Sequence, residues 1–160
     1  MLNKLEDLFS KKAKITENQF ESYSVGESFP IEDSTTQTSN NILACYISLY
    51  CVDCIELLPD LKELSESFNG EFLLFTDGNE EENKEIRDYF KFSFMVRSYT
   101  KEELANKYKV VATPYVYVLD SSWSIICGEN INDSEELKEL LEELKLLNHI
   151  SCQASSGESV

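Results

Sequence analysis

Apolar positions along this chain form short dense runs that alternate with helical stripes. The run Ile42 to Tyr50 reads as a buried strand ending just before a pair of cysteines. From about Cys51 to Phe68, the residues Leu57, Leu61, Leu64 and Phe68 recur at i, i+4, i+7 and i+11, which is one face of a helix. Pro59 inside that stretch removes a backbone donor and is expected to kink it, and Asn69-Gly70 to end it. A strand over Glu71 to Thr76, a turn at Asp77-Gly78-Asn79 and an acidic helix over Glu80 to Phe90 follow, the helix carrying Ile86, Tyr89 and Phe90.

Phe92 to Val96 reads as a short extended piece. Thr100 with Glu103 three residues on is a capping-box pattern, opening a helix to about Tyr108. Tyr115 to Leu119 and Trp123 to Cys127 form a hairpin around Asp120-Ser121-Ser122. Asp133-Ser134-Glu135-Glu136 is a second capping box, with Leu137, Leu140, Leu141 and Leu144 on one face of a final helix that packs on the sheet. The early strand–helix alternation predicts parallel strands with right-handed crossovers, and the late hairpin adds antiparallel ones. Residues 1–23 read as a helix-prone charged extension with Leu2, Leu5, Leu8 and Phe9 on one face, 24–148 as the domain, and 149–160 as a disordered polar tail.

The length of 160 residues suits one domain with a full core. No apolar run reaches the ~20 residues that span a bilayer, and the start Met1-Leu2-Asn3-Lys4-Leu5 has no signal-peptide core. The expectation is a soluble, cytoplasmic monomer. Thirty acidic against 14 basic residues give a net charge of −16, which favours solubility and argues against nucleic acid or anionic membrane partners.

Five cysteines is an odd number, which a scaffold built on disulfides does not suggest. Cys45 and Cys127 lie in apolar strand-like runs and read as buried small hydrophobes; Cys152 reads as an exposed bystander in the tail. The remaining pair, Cys51-Val52-Asp53-Cys54, falls where a strand turns into a helix. The helix N-terminus favours a thiolate at Cys51, and Cys54 stands one turn behind it. Such a pair can attack a disulfide and then release itself by internal attack. A zinc site needs four ligands, and neither a second CxxC nor paired histidines exist. The one histidine, His149, ends the last helix and suits its dipole. No metal or organic cofactor is expected.

These residues in this order resemble the thioredoxin superfamily. The match is carried by the CxxC at the strand–helix junction, Pro59 five residues after the second cysteine, the segment Tyr108 to Pro114, and the hairpin and terminal helix after it. The resemblance covers roughly residues 24–148. The longer segment 78–107 and the entry Val25-Gly26-Glu27-Ser28-Phe29-Pro30 look more like the TlpA/ResA/MauD thiol–disulfide oxidoreductases and their peroxiredoxin relatives. It implies an α/β thioredoxin-like fold: a central mixed β-sheet flanked by helices, with an N-terminal extension and an inserted helix–strand.

The resemblance further implies that Cys51 is the nucleophile and Cys54 the resolving thiol. It implies a cis Pro114 beside them, with Thr113 offering its backbone to a substrate strand. Tyr50 replaces the tryptophan usual before the first cysteine, and Val52 and Asp53 flank the attacking sulfur. Tyr50, Val52, Asp53, Thr113 and Pro114 are thus the expected substrate-binding residues. The carboxylate of Asp53 opposes the helix dipole at Cys51, so a reducing or intermediate potential is expected. Many family members bury an acidic residue under the second cysteine. The two positions for it hold Cys45 and Leu57 here, and Glu56 should point elsewhere. Partners would be protein or peptide thiols and disulfides, with an unnamed electron donor or acceptor. A peroxidatic reading fails at Ile47 and Cys51, where that pattern wants Pro and Thr or Ser. The reading from another class is a non-catalytic module that binds a cysteine-containing peptide or partner.

Overall fold

A computed structural model describes residues 22–30 and 40–147. The expectations for residues 1–21, for His149 and for Cys152 lie outside the described residues. The elements are β1 (Asn41–Tyr46), α1 (Val52–Ser67), β2 (Gly70–Thr76), α2 (Glu80–Phe90), β3 (Met95–Ser98), one turn of π-helix (Glu103–Lys107), β4 (Tyr115–Leu119), β5 (Ile125–Asn130) and α3 (Ser134–Glu143). They build one five-stranded sheet in the order β3-β2-β1-β4-β5. The pairs β1/β2 and β2/β3 are parallel; β1/β4 and β4/β5 are antiparallel. This is the mixed, helix-flanked sheet that the sequence predicts.

β1 lies at the centre, and five of its six residues are buried because both faces of the sheet are covered. Leu43, Cys45 and Ile47 face one core cluster with Leu57, Leu61, Leu64, Val116, Val118, Leu137 and Leu141. Ile42, Ala44 and Tyr46 face a second, largely aromatic cluster with Phe29, Phe75, Tyr99, Tyr108 and Tyr117. In that second layer Tyr46 stacks on Phe75 with ring centroids 4.6 Å apart. Among the described residues, no helix is long and apolar enough to cross a membrane.

Five boundaries differ from the sequence expectation. The extended piece expected over Phe92 to Val96 becomes a strand only at Met95. Phe92 and Phe94 instead stack on each other at 4.4 Å and, with Phe72, fill the first core. The hairpin's second strand starts at Ile125, not Trp123. Trp123 adopts φ 66° and closes the turn, its N–H donating to Asp120 O at 3.0 Å. α1 ends at Phe68 in extended conformation rather than through a left-handed glycine. Gly70 serves the close approach of β1 and β2, since a Cβ there would lie 2.2 Å from Asn41 O. The helix expected over 100–108 has its Thr100/Glu103 capping box, with bonds of 2.9 and 3.1 Å, but widens into a π-turn closed by Tyr108 N–H on Glu103 O. β1 also stops at Tyr46, leaving residues 47–51 as the loop that carries the first cysteine.

α2 is tied to the sheet through Asn83, a buried polar residue on an otherwise acidic helix. Its side chain is hydrogen-bonded to the Thr76 hydroxyl and donates to Ser98 Oγ at 2.8 Å. Ser98 in turn donates to Gly78 O at 2.5 Å. Truncation as Asn83→Ala leaves buried partners unpaired and is expected to destabilise the fold by about 2 kcal/mol. Urea denaturation of the variant beside the wild-type chain checks this, and a loss below about 0.5 kcal/mol would contradict it.

Candidate active site

The site forms where β1 and β2 end side by side, at the carboxyl edge of the parallel part of the sheet. Chain leaving β1 turns through Ser48-Leu49-Tyr50, and the Cys51 N–H donates to Ser48 O at 3.2 Å. Cys51 is then the N-cap of α1. It has extended backbone angles, and its sulfur accepts the Cys54 N–H at 3.3 Å. A sulfur in the place of a capping oxygen receives both a backbone donor and the positive end of a 16-residue helix. Cys51 is half-buried, Cys54 is buried, and both are free thiols, as are Cys45 and Cys127.

The expected residues around the first sulfur come together. Thr113 O lies 3.6 Å from Cys51 Sγ, as acceptor of its thiol. The Thr113–Pro114 peptide bond is cis. Pro114 is buried and Thr113 half-buried. Tyr50 and Val52 flank the thiol at 91% and 71% exposure, a degree that large side chains reach only when nothing packs on them. Asp53 is exposed in the first turn of α1. Glu56 points to solvent and Leu57 into the core, as the helical period dictates.

Cys54 sits in a different environment. Burial pushes its thiol up to about 12, and a hydrogen bond with Cys51 adds to this. Hydrogen bonds from the Ser48 N–H, at 3.4 Å, and from Thr113 act in the opposite direction. Cys45 lies beneath it in β1, fully buried, its own thiol raised by burial and by the neighbouring Cys54. Cys127, half-buried on β5, is pushed up to about 11 by burial and by Glu129.

Three residues that the sequence did not single out shape the loop. Asp77, in the turn after β2, accepts from Ser48 Oγ at 2.5 Å and from Leu49 N–H at 2.8 Å. Tyr99, beyond β3, donates its hydroxyl to Ile47 O at 2.6 Å. Burial, with Asp77 and the two thiols nearby, holds that hydroxyl well above its ordinary range, so it remains a donor. Gly78 lets the β2–α2 turn come against Leu49, whose Cδ1 would lie 2.7 Å from an added Cβ. One sequence signal for Asp77 was available: an acidic residue directly after a parallel strand sits at the edge where such sheets place their sites.

No protein-family model matches the sequence, and no curated protein does. Solved structures do resemble it. The thioredoxin domain of a thiol-disulfide oxidoreductase from Bacteroides vulgatus aligns at TM-score 0.61 and 17% identity, over 77% of this chain and 99% of that one. StoA from Bacillus subtilis aligns at TM-score 0.51 and 17% identity, over 72% and 93%. A peroxiredoxin-like protein from Aquifex aeolicus aligns at TM-score 0.59 and 14% identity, over 77% and 88%. At such identities the likeness is one of architecture: the chain has the thioredoxin-like fold.

Proposed function

We propose that this chain is a thiol–disulfide oxidoreductase that exchanges the Cys51/Cys54 dithiol with a disulfide in a protein or peptide. The observation that carries the reading is the asymmetry of the two thiols. One caps a helix at the surface beside Thr113, and the other is buried one turn behind it.

The chemistry follows from that asymmetry. Cys51, as thiolate, attacks one sulfur of the substrate disulfide. A Cys51–substrate bond forms, the substrate S–S bond breaks, and one substrate thiolate leaves to be protonated by water. Cys54 then gives its proton to water and attacks Cys51 Sγ. The Cys51–Cys54 disulfide forms, the mixed disulfide breaks, and the second substrate thiol departs. The substrate has gained two electrons and the chain has lost two. A dithiol donor would return them by the same exchange in reverse. The exposed Tyr50 and Val52 give an apolar rim for the residues around the substrate cysteine, and Thr113 can pair with its backbone as an added strand.

Asp53 beside the attacking thiol favours the reductase direction, because a local negative charge does not stabilise the reduced, thiolate form. The reading takes a monomer as the working unit and the cytoplasm as its compartment, where thiols are kept reduced. The alternative, a binding module, would use the same groove without turnover.

Two outcomes test this. Equilibration in graded glutathione or dithiothreitol buffers, with thiol trapping, is expected to give one two-electron transition that disappears in Cys51→Ser. Its potential should lie closer to about −270 mV than to about −120 mV. Absence of a transition, or one joining Cys45 to Cys127, would move the assignment to the binding module. The second outcome concerns pH. Since the Cys54 thiol is raised to about 12, its thiolate fraction at neutral pH is small and grows about tenfold per pH unit below that value. Iodoacetamide at pH 8 should therefore modify Cys51 in the Cys54→Ser variant at least about tenfold faster than Cys54 in Cys51→Ser. Mass spectrometry of timed samples reads the order directly.

A further inference from the structure

The buried thiol raises a physical question that the pair of cysteines does not answer. For Cys54 to act it must become an anion in the core, and neither position where a buried carboxylate would assist it holds one: Cys45 and Leu57 stand there. Beside the Thr113 side chain, the donor that reaches its sulfur is the Ser48 backbone N–H. That N–H belongs to the peptide unit joining Ile47 to Ser48, and the unit is held at every other point. Its carbonyl, Ile47 O, accepts the Tyr99 hydroxyl at 2.6 Å. The Ile47 N–H donates to Phe75 O at 2.9 Å, and the Tyr99 N–H to Thr76 O at 2.8 Å, so both ends are fixed to β2. On the far side, Asp77 takes the Ser48 hydroxyl and the Leu49 N–H, and Ser48 Oγ receives the Tyr50 N–H at 3.2 Å.

Resting on the oxidoreductase reading, we infer that the Ile47–Ser48 peptide is the group that holds and stabilises the Cys54 sulfur, with Tyr99, Ser48 and Asp77 as positioning residues. A hydroxyl donating to a peptide carbonyl polarises that peptide and strengthens its N–H as a donor, so Tyr99 acts on the sulfur through the amide plane. Asp77 acts by geometry, not by charge. Its negative charge near the thiols would disfavour a thiolate, whereas its grip on Ser48 and Leu49 keeps the N–H aimed at Sγ. The ionisable groups around Cys54 are Cys51 on the helix cap, Cys45 on β1 and Tyr99, with Asp77 beyond it. None of these is positively charged, which leaves hydrogen bonds, those of Ser48 and Thr113, as the support for the anion. In the resolving step the anion attacks Cys51 Sγ, the new S–S bond forms and the substrate thiolate leaves.

The test reads Cys54 directly, in the full chain carrying Cys51→Ser, by iodoacetamide at fixed pH values from 7 to 9. Tyr99→Phe removes only the hydroxyl. Ser48→Ala removes the link to Asp77 and leaves the N–H, while Ser48→Thr keeps a hydroxyl there. Weakening one charge-assisted hydrogen bond cuts the thiolate about tenfold and, after the partial gain in nucleophilicity, is expected to slow Cys54 alkylation about fivefold in Tyr99→Phe and in Ser48→Ala, with Ser48→Thr close to the unsubstituted rate. With Cys51 restored, release of a mixed disulfide should slow less, about threefold, because a more basic thiolate is also a better nucleophile. A merely structural role gives the opposite sign: looser packing exposes Cys54 and speeds its alkylation. Rates unchanged or faster in both variants would overturn the inference. The two readings fail separately. If the wild-type chain shows no two-electron transition while the variants still slow Cys54, the oxidoreductase falls and the positioning stands. If it cycles and Cys54 is indifferent to both variants, the reverse holds.

Discussion

The burial of β1 on both faces is the constraint on which the rest depends. A strand with no solvent-facing side must alternate its side chains between two cores, so Leu43, Cys45 and Ile47 define one layer and Ile42, Ala44 and Tyr46 the other. A slip of one residue would exchange the layers, putting Tyr46 among the aliphatic side chains of α1 and Cys45 into the aromatic stack. That register also fixes where the strand stops. Beyond Ile47, whose N–H still bonds to Phe75 O, the chain leaves the sheet, and the loop from Ser48 to Cys51 is the result. The place of the cysteine pair therefore follows from the burial of a strand that ends five residues before Cys51.

Two opposing electrostatic effects then set the thiols apart. Helix geometry gives Cys51 a backbone donor and the favourable end of a dipole at the surface. Burial withholds both water and countercharge from Cys54 and raises its ionisation to about 12. The same helical turn thus contains a sulfur that caps the helix near the surface and a buried sulfur behind it. A dithiol built this way does not need distinct residues to distinguish its two members, because depth in the fold does so. The loop that carries Ser48 belongs to the same scheme. Its polar contacts run to Asp77 and Tyr99, on the β2 and β3 side, so the dithiol is coupled to the parallel half of the sheet. Thr113 and Pro114 couple it to the antiparallel half.

Much of the fold could be read from periodicity because its long elements are locally consistent. The stripe Leu57, Leu61, Leu64 and Phe68 is buried as a unit, the helix Glu80–Phe90 has the predicted ends, and the strands Glu71–Thr76 and Tyr115–Leu119 lie within a residue of expectation. The misreadings fall where side chains serve tertiary packing rather than their own element. Phe92 and Phe94 carry strand-like apolar character but fill the core ahead of β3. Trp123 has a strand former's chemistry and a turn's backbone, since its ring stacks against Phe29. The second predicted capping box is present in half. Asp133 caps Glu136 N–H at 2.9 Å, but the Glu136 carboxylate turns to Asn132 instead of the cap.

The sequence by itself determined the features that depend on spacing. Two thiols three residues apart after an apolar strand lie on one helical turn whatever surrounds them, and a proline some sixty residues on is written in the chain as plainly. Apart from Thr113 and Pro114, which the resemblance set beside the pair, only the tertiary structure decided which groups meet that turn. Asp77, Tyr99 and Thr113 are 23, 45 and 59 residues beyond Cys54 along the chain, and no helical or strand period relates them to it. They arrive because the strand order β3-β2-β1-β4 places the end of β2, the exit from β3 and the start of β4 around the end of β1. Periodicity reports which side of an element is buried. It carries no information about which polar atoms from distant strands will complete the hydrogen bonds of a loop, and that is where the character of the buried thiol is set.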